Sequence, residues 1–391
     1  MKSAKISVVM ESIKRVLFAH QSTIPHYRVP FFNMLESLRP RSWCFDVVFD
    51  HSELESPIFF QEPLNYDEIR FPLLDVRTHS FCLAGKRISY QTFWRQAASY
   101  DLVIVENALY NMTYPLSQLH QLFGTKIAYW GHGWDHSVDG GSLLKMSSEK
   151  MKLLLARKAD GFFAYTAGVK QYLEQQGLSS DHVFTVNNTI DINKQRDLFE
   201  KWRGKRPFVR QKLQLEDKKT LLFVGRLTQN KRITFLLKAF SILLAQNPDC
   251  HLLLVGSGSE AGQIINHPNV THFGTIVDSD QLAEIYVASD LFAFPGSVGL
   301  GPLQALCYDL PVVTIDSPVQ MPEIEYLTPA NSMILAASTT PEEYAWHILR
   351  VLENEEQFDI FKSGIWSSIQ HLTIEQMAYN FIDGINILLT E

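Results

Sequence analysis

Short apolar runs recur along the chain, and between them apolar residues return at every third or fourth position. The runs have the length of buried strands and the spacing between them is that of amphipathic helices. On this pattern, strands are expected at 15–20 (RVLFAH), 45–49, 69–74, 101–105 (DLVIV), 126–130 (KIAYW), 161–165 and 182–186. Helices are expected at 29–38, 89–99, 114–123, 143–159 and 167–176. A polar, basic run follows at 191–218, read as a solvated helix and linker. Alternation then resumes, with strands at 220–224, 251–255, 270–273, 291–294 and 311–315 and helices at 233–245, 279–288 and 302–308. The end, 341–389, reads as all helical.

Strand and helix alternating at this spacing predict an α/β fold built from parallel sheets covered on both faces. The expected organisation is two doubly wound, Rossmann-like domains facing a cleft, with C-terminal helices. Residues 1–190 form the first domain, 191–218 the linker and 219–372 the second domain; a last helix at 373–391 is placed to pack back on the first.

Length and charge narrow the classes. A chain of 391 residues can bury two cores. With 35 Lys+Arg against 42 Asp+Glu the net charge is -7, which argues against nucleic acid as the main partner. Cys44, Cys82, Cys250 and Cys307 are far apart and form no CxxC pair, so no structural zinc is expected and a reducing compartment fits. No apolar run reaches membrane-spanning length and no signal peptide is read at the N-terminus, so a cytoplasmic location is expected.

Three stretches carry candidate chemistry. VGRLTQNKR puts Arg226 and Lys231 on the loop leaving a strand, where two cations could hold a diphosphate or could be ordinary surface charges. LLLVGSGSE is another strand with glycines at its exit, a weak signal alone. In LFAFPGSVGLGPLQALCYDLPVV, the glycines Gly296, Gly299 and Gly301 lie between a strand and a helix, where backbone N–H groups can face an anion. Asp278 and Asp280 form a DxD pair, but capping of the following helix by Ser279 or Asp280 explains it better than a metal.

In this order and spacing, the segments resemble the nucleotide-binding domain of the GT-B glycosyltransferases of family 4, strongly over 221–327 and loosely before it. The resemblance implies a nucleotide-sugar donor as substrate, no cofactor and no metal. Arg226 and Lys231 would neutralise the diphosphate, beside Gly225. The loop Ser297, Val298, Gly299 and Leu300, up to Gly301, would hold the distal phosphate through its amides, and Glu323 would line the same cleft. The family's two glutamates, seven residues between them, are replaced here by Gly296 and Gln304. Gln304 can still bond a ribose, whereas Gly296 offers no side chain. PGSVGL resembles a glutamate-lacking loop of bacterial surface-polysaccharide transferases.

In the first half, YWGHGWDHS places His132 between two glycines, resembling the family's cleft histidine, with Asp135 close by. A packed or surface histidine is the other reading. His26 and Arg28 after the first strand, and Glu106 after DLVIV, are acceptor-side candidates; a loop residue facing water explains Glu106 equally. The stretch KMSSEKMKLLLARKAD mixes basic and apolar residues; it suits either an anionic membrane surface or a helix covering the sheet. The expected protein is therefore a retaining glycosyltransferase moving a sugar from a UDP- or GDP-sugar to a glycan or lipid-linked oligosaccharide, in bacterial surface polysaccharide synthesis, at the inner face of the membrane. A GT-B sugar-nucleotide epimerase and a catalytically silent GT-B subunit are the alternatives. A dinucleotide oxidoreductase is disfavoured because no GxGxxG follows the first strand.

Overall fold

Apolar runs without polar alternation need cover on both faces, and the chain supplies it by folding them into two parallel sheets. The computed structural model describes residues 12–19, 24–50, 66–83, 86–134, 143–264, 266–317 and 320–391. The first body contains β1 (Lys14–Ala19), β2 (Trp43–Phe49), β3 (Leu73–Asp75), β4 (Thr78–Leu83), β5 (Lys86–Gln91), β6 (Leu102–Glu106), β7 (Lys126–Gly131), β8 (Gly161–Ala164) and β9 (Val183–Thr185). Seven of them form one parallel sheet in the order β3-β2-β1-β6-β7-β8-β9, while β4 and β5 make a separate antiparallel pair. The second body contains β10 (Lys219–Val224), β11 (Cys250–Val255), β12 (Val270–His272), β13 (Leu291–Phe294), β14 (Val312–Ile315) and β15 (Ser332–Leu335), all parallel in the order β12-β11-β10-β13-β14-β15. Both are Rossmann-like, and the arrangement is the expected one of two doubly wound bodies with C-terminal helices.

Each sheet reverses its winding once, between β1 and β6 and between β10 and β13. A crevice opens at the carboxyl ends of the strands at such a point. The loops that leave β1, β6, β10 and β13 carry most of the candidate residues.

Several local expectations are corrected. The helix expected at 89–99 is instead β5 and a single turn, Trp94–Ala97, because Ile88 and Tyr90 alternate with polar residues and pair across to β4. The strand expected at 69–74 starts only at Leu73, and the helix at 114–123 is Thr113–Ser117 followed by a 3-10 stretch, Gln118–Phe123. Asp278, and neither Ser279 nor Asp280, caps Ser279–Ala288 by accepting from the Gln281 amide. Asp280 instead pairs with Lys201 and accepts from the Trp202 indole.

That pairing shows where the basic run goes. Residues 191–218 contain two helices, Ile192–Arg203 and Arg206–Lys212, packed on the second body. Arg196 pairs with Asp309 and Arg206 with Asp290, and Val209 is fully buried. The last helix, Ile374–Thr390, crosses to the first body and places Met377, Phe381, Ile385 and Leu388 in its core. Phe381 stacks on Phe163 at 4.6 Å and meets Trp130 edge-on at 5.0 Å. Among the described residues no helix is long and apolar enough to cross a membrane.

A 3-10 turn, Pro322–Tyr326, joins the two bodies. The Glu325 carboxylate accepts from Thr166 Oγ1 (2.6 Å) and from the Gly168 amide (2.9 Å) at the start of helix Ala167–Gln175. Asn188 Nδ2 donates to Glu323, and Tyr326 Oη donates to the Asn188 carbonyl (2.8 Å). Phe381→Ala, which empties a fully buried ring site in the first body, is expected to cost about 3–5 kcal/mol. Urea unfolding of the two proteins measures this, and a loss under about 1 kcal/mol would show that the C-terminal helix does not contribute to that core.

Candidate active site

In the second body the site is built by close approach of backbones. Gly256 and Gly258 have positive φ, and a Cβ on either would fall 1.9 Å from the Gly225 carbonyl or 2.4 Å from that of Leu227. Only glycine lets the loop after β11 lie against the loop after β10. The bonds from Leu227 N to Ser257 O (2.8 Å) and Glu260 N to Leu227 O (2.8 Å) fix the two together. Gly296 is equally constrained, since a Cβ there would sit 2.4 Å from Lys231 Cα and 2.6 Å from the Asn230 carbonyl. The Ser297 amide donates to that same carbonyl (2.9 Å).

The loops after β10 and β13 thus meet at the point where the winding reverses, and Lys231 is placed between them. Its Nζ donates to the Ser297 carbonyl and lies 5.3 Å from the centre of the Phe294 ring. Withdrawal from water, and then the charge of Arg226, bring its pKa down to about 8, against a smaller opposing pull from Glu323. Arg226 stands exposed at the lip. Arg226 and Lys231 are thus near enough for their charges to act on one another, and among the described residues no carboxylate pairs with either, which favours an arriving polyanion.

The glycine loop differs from the expectation in its amides. Ser297 N is used by Asn230 and Val298 N by Gln320 Oε1, and the Val298 side chain is fully buried. Gln320 also donates from Nε2 to the carbonyls of Gly296 (3.1 Å) and Ile315 (2.6 Å), so one buried amide side chain pins the loop. Helix Leu300–Leu306 begins directly after, and the N–H groups of Gly299, Leu300 and Gly301 at its start have no partner within the helix. Any partner for them has to come from outside the helix. Gln304 donates to Gln195 Oε1 (3.1 Å), which also accepts from Tyr308 Oη (3.0 Å).

The first body faces this with an aromatic cluster. Tyr27 and Arg28, in the 3-10 turn after β1, lie near Tyr165 after β8; the Arg28 guanidinium is over the rings of Trp130 (4.8 Å), Tyr27 (5.1 Å) and Tyr165 (5.7 Å). His132 meets Tyr165 edge-on at 4.4 Å, and Tyr110 Oη donates to Glu106 (3.2 Å). His26 is exposed and meets the Tyr27 ring edge-on at 5.8 Å. Asp135 lies outside the described residues. Burial raises the Tyr27 hydroxyl pKa, and charges from both bodies act on it: Arg28 and Glu106 from the first, Glu323 and Arg226 from the second. Tyr27 thus lies within electrostatic reach of Arg28 and Glu106 on the first body and of Glu323 and Arg226 on the second. Sequence reasoning missed Gln320, Asn188 and Tyr165, which carry no motif.

The sequence model described as Glycosyl transferases group 1 matches residues 218–354, within the second body. An uncharacterized glycosyltransferase of Methanocaldococcus jannaschii is 26% identical over 198 residues, 46% of this chain and 49% of the relative. Mannosylfructose-phosphate synthase of Agrobacterium fabrum is 28% identical over 184 residues, 42% of this chain and 39% of the relative. The matched stretch thus spans half or less of the length of these curated relatives. Among solved structures, HepE of Anabaena in complex with UDP superposes with a TM-score of 0.68 at 15% identity, covering 95% of this chain and 99% of that one. That likeness is one of fold.

The low Lys231 pKa has a measurable consequence. A lysine at 10.5 in the unfolded chain and about 8 in the folded one binds more protons when unfolded between those values, so its contribution to stability rises with pH across that window. Relative to Lys231→Met, the ligand-free protein should gain stability from about pH 8 towards pH 10.5. Denaturant unfolding at stepped pH tests this; a difference independent of pH would mean that Lys231 is solvated.

Proposed function

We propose that the chain is a glycosyltransferase that moves a sugar from a nucleotide-sugar donor to a hydroxyl of a glycan or lipid-linked acceptor. The observation that carries the reading is Lys231, held with Arg226 at the winding reversal of a Rossmann-like body that matches the group 1 glycosyl transferase model. The HepE structures with UDP and with UDP-glucose support a uridine donor. The resemblance to family 4 supports retention at the anomeric carbon, and the glutamate-lacking loop supports a role in bacterial surface polysaccharide synthesis.

In this reading the chemical demand is charge. As the bond from the anomeric carbon to the diphosphate breaks, negative charge grows on the leaving oxygens, and Arg226, Lys231 and the amides of Gly299 to Gly301 meet it from fixed positions. No metal or cofactor is needed for that step. The Lys231 ammonium, made costly by its surroundings, is stabilised by the incoming diphosphate, so binding draws its pKa upward. Across the cleft, His132 faces the sugar from the first body. Glu106, oriented by Tyr110, orients the acceptor hydroxyl.

The same reading places the acceptor near a lipid surface. The 3-10 stretch Gln118–Phe123 is held on helix Leu143–Lys158 by bonds from Gln118 to Leu155 O (3.2 Å) and Gln121 to Lys158 O (2.9 Å). It exposes Leu122 (79%) and Phe123 (71%), and the helix exposes Met151 and Leu154. Lys150 and Lys158 are exposed on that helix, whereas Lys152 is buried against Glu149 and Leu155 faces the core. Exposed apolar tips beside lysines suit an anionic bilayer.

Calorimetry with UDP, GDP and ADP should find one that binds, and Arg226→Ala or Lys231→Ala should weaken it by roughly tenfold or more and lower transfer by about 10²-fold. Normal binding and turnover in folded variants would refute the assignment. The wild-type protein should sediment with phosphatidylglycerol vesicles, and the double variant Leu122→Ser, Phe123→Ser should stay in the supernatant. Equal sedimentation of both would reject the membrane face.

A further inference from the structure

The loop after β13 is held by a side chain from a different loop. Gln320 follows β14 and is buried. Its carboxamide is used at both ends: Oε1 accepts from the Val298 amide, and Nε2 donates to the Gly296 carbonyl (3.1 Å) and to the Ile315 carbonyl (2.6 Å) at the end of β14. The Gln320 backbone amide donates to Ser317 O (3.0 Å), which fixes where the side chain starts.

The Gly296 carbonyl and the Ser297 amide belong to one peptide plane, and the Ser297 carbonyl and the Val298 amide to the next. In the first plane the carbonyl is held by Gln320 and the amide donates to Asn230 O (2.9 Å). In the second the amide is held by Gln320 and the carbonyl accepts from Lys231 Nζ. Each plane is thus gripped at one end by Gln320 and at the other by the loop after β10. Because a peptide group turns as a rigid unit, holding the Val298 N–H fixes the direction of the Ser297 carbonyl that meets the ammonium. The task calls for a carboxamide, which offers an acceptor and two donors without charge; a carboxylate would set an anion against the Gly296 and Ile315 carbonyls.

We propose that Gln320 is a positioning residue for Lys231: through two peptide planes it aims the Ser297 carbonyl and so holds the ammonium where a diphosphate meets it. The inference rests on the nucleotide-sugar reading above for the ligand. Gln320 acts through Lys231 and makes no contact of its own with the nucleotide. Without the carboxamide the Ser297–Val298 plane is free to turn, Lys231 loses its fixed acceptor, and an arriving diphosphate has to order the side chain as it binds.

A double-mutant cycle on the full chain separates this role from a purely structural one. UDP, GDP and ADP are titrated calorimetrically into wild type, Gln320→Met, Lys231→Met and the double variant, with thermal melts to establish folding. For the nucleotide that the wild type binds, Gln320→Met should weaken affinity by about fivefold or more. In the Lys231→Met background the same substitution should change affinity by less than about twofold, since the group it positions is gone. A residue that only maintains the fold of the loop would cost as much in both backgrounds. That result, or an unchanged affinity in folded Gln320→Met, would overturn the positioning role and leave the nucleotide reading standing. Should Gln320→Met fail to fold, Gln320→Asn, an uncharged amide with a shorter reach, is taken through the same cycle and judged by the same two outcomes. If no nucleotide binds the wild type, the functional reading falls and the positioning role with it.

Discussion

One turn of 3-10 helix, Pro322–Tyr326, holds the two sheets against each other, and the site exists because of it. Glu325 meets the start of helix Ala167–Gln175, where free amides and the helix dipole favour a carboxylate. A Cβ at Gly168 would lie 2.3 Å from Glu325 Oε1, so a side chain there would push the carboxylate from its present position. Two residues earlier, Glu323 is bonded to Asn188, and one residue later Tyr326 bonds the Asn188 backbone. Three side chains of one turn thus fix the first body from the second. Loosening them would separate the aromatic cluster from the cations.

Within the second body the organising constraint is backbone proximity. Lys231 reaches its position because the loops after β10 and β13 touch, and they touch because residue 296 is glycine. The same contact that places the cation removes the side chain expected at 296. Gln320 completes the arrangement by taking up the Val298 amide and the Gly296 carbonyl.

The cleft has a division of charge across it. Arg226 and Lys231, unpaired with any carboxylate among the described residues, lie on the second body, whereas the first presents Glu106 and rings around a buried arginine. Glu323 belongs to the second body by sequence and to the first body's cluster by contact. Because it feels both Lys231 and Arg28, its ionisation depends on how closely the two bodies approach.

The fold was legible in the chain because its signals are local and repeated: buried-type strands, the spacing between them, and glycines at strand exits. VGRLTQNK, VGSGS and PGSVGLG could be placed at strand ends because a parallel strand and its exit turn are both short-range features. Less regular pieces were misjudged where pairing partners outside the window decided the outcome, as when β5 found β4 and left only one helical turn after it. In the basic run at 191–218, composition suggested solvation, but Asp280, Asp290 and Asp309 supplied partners that only packing brings near. Arg226 and Lys231 could be named as candidates from spacing. Their different environments, one exposed and one drawn from water, could not, because desolvation depends on atoms far away in sequence. The sequence by itself determined the two-sheet architecture and the cation-bearing loops. Tertiary structure alone decided that Gln320 pins the glycine loop and that Glu323 joins Asn188 and the neighbourhood of Arg28, since those contacts span large sequence separations and follow no periodic pattern.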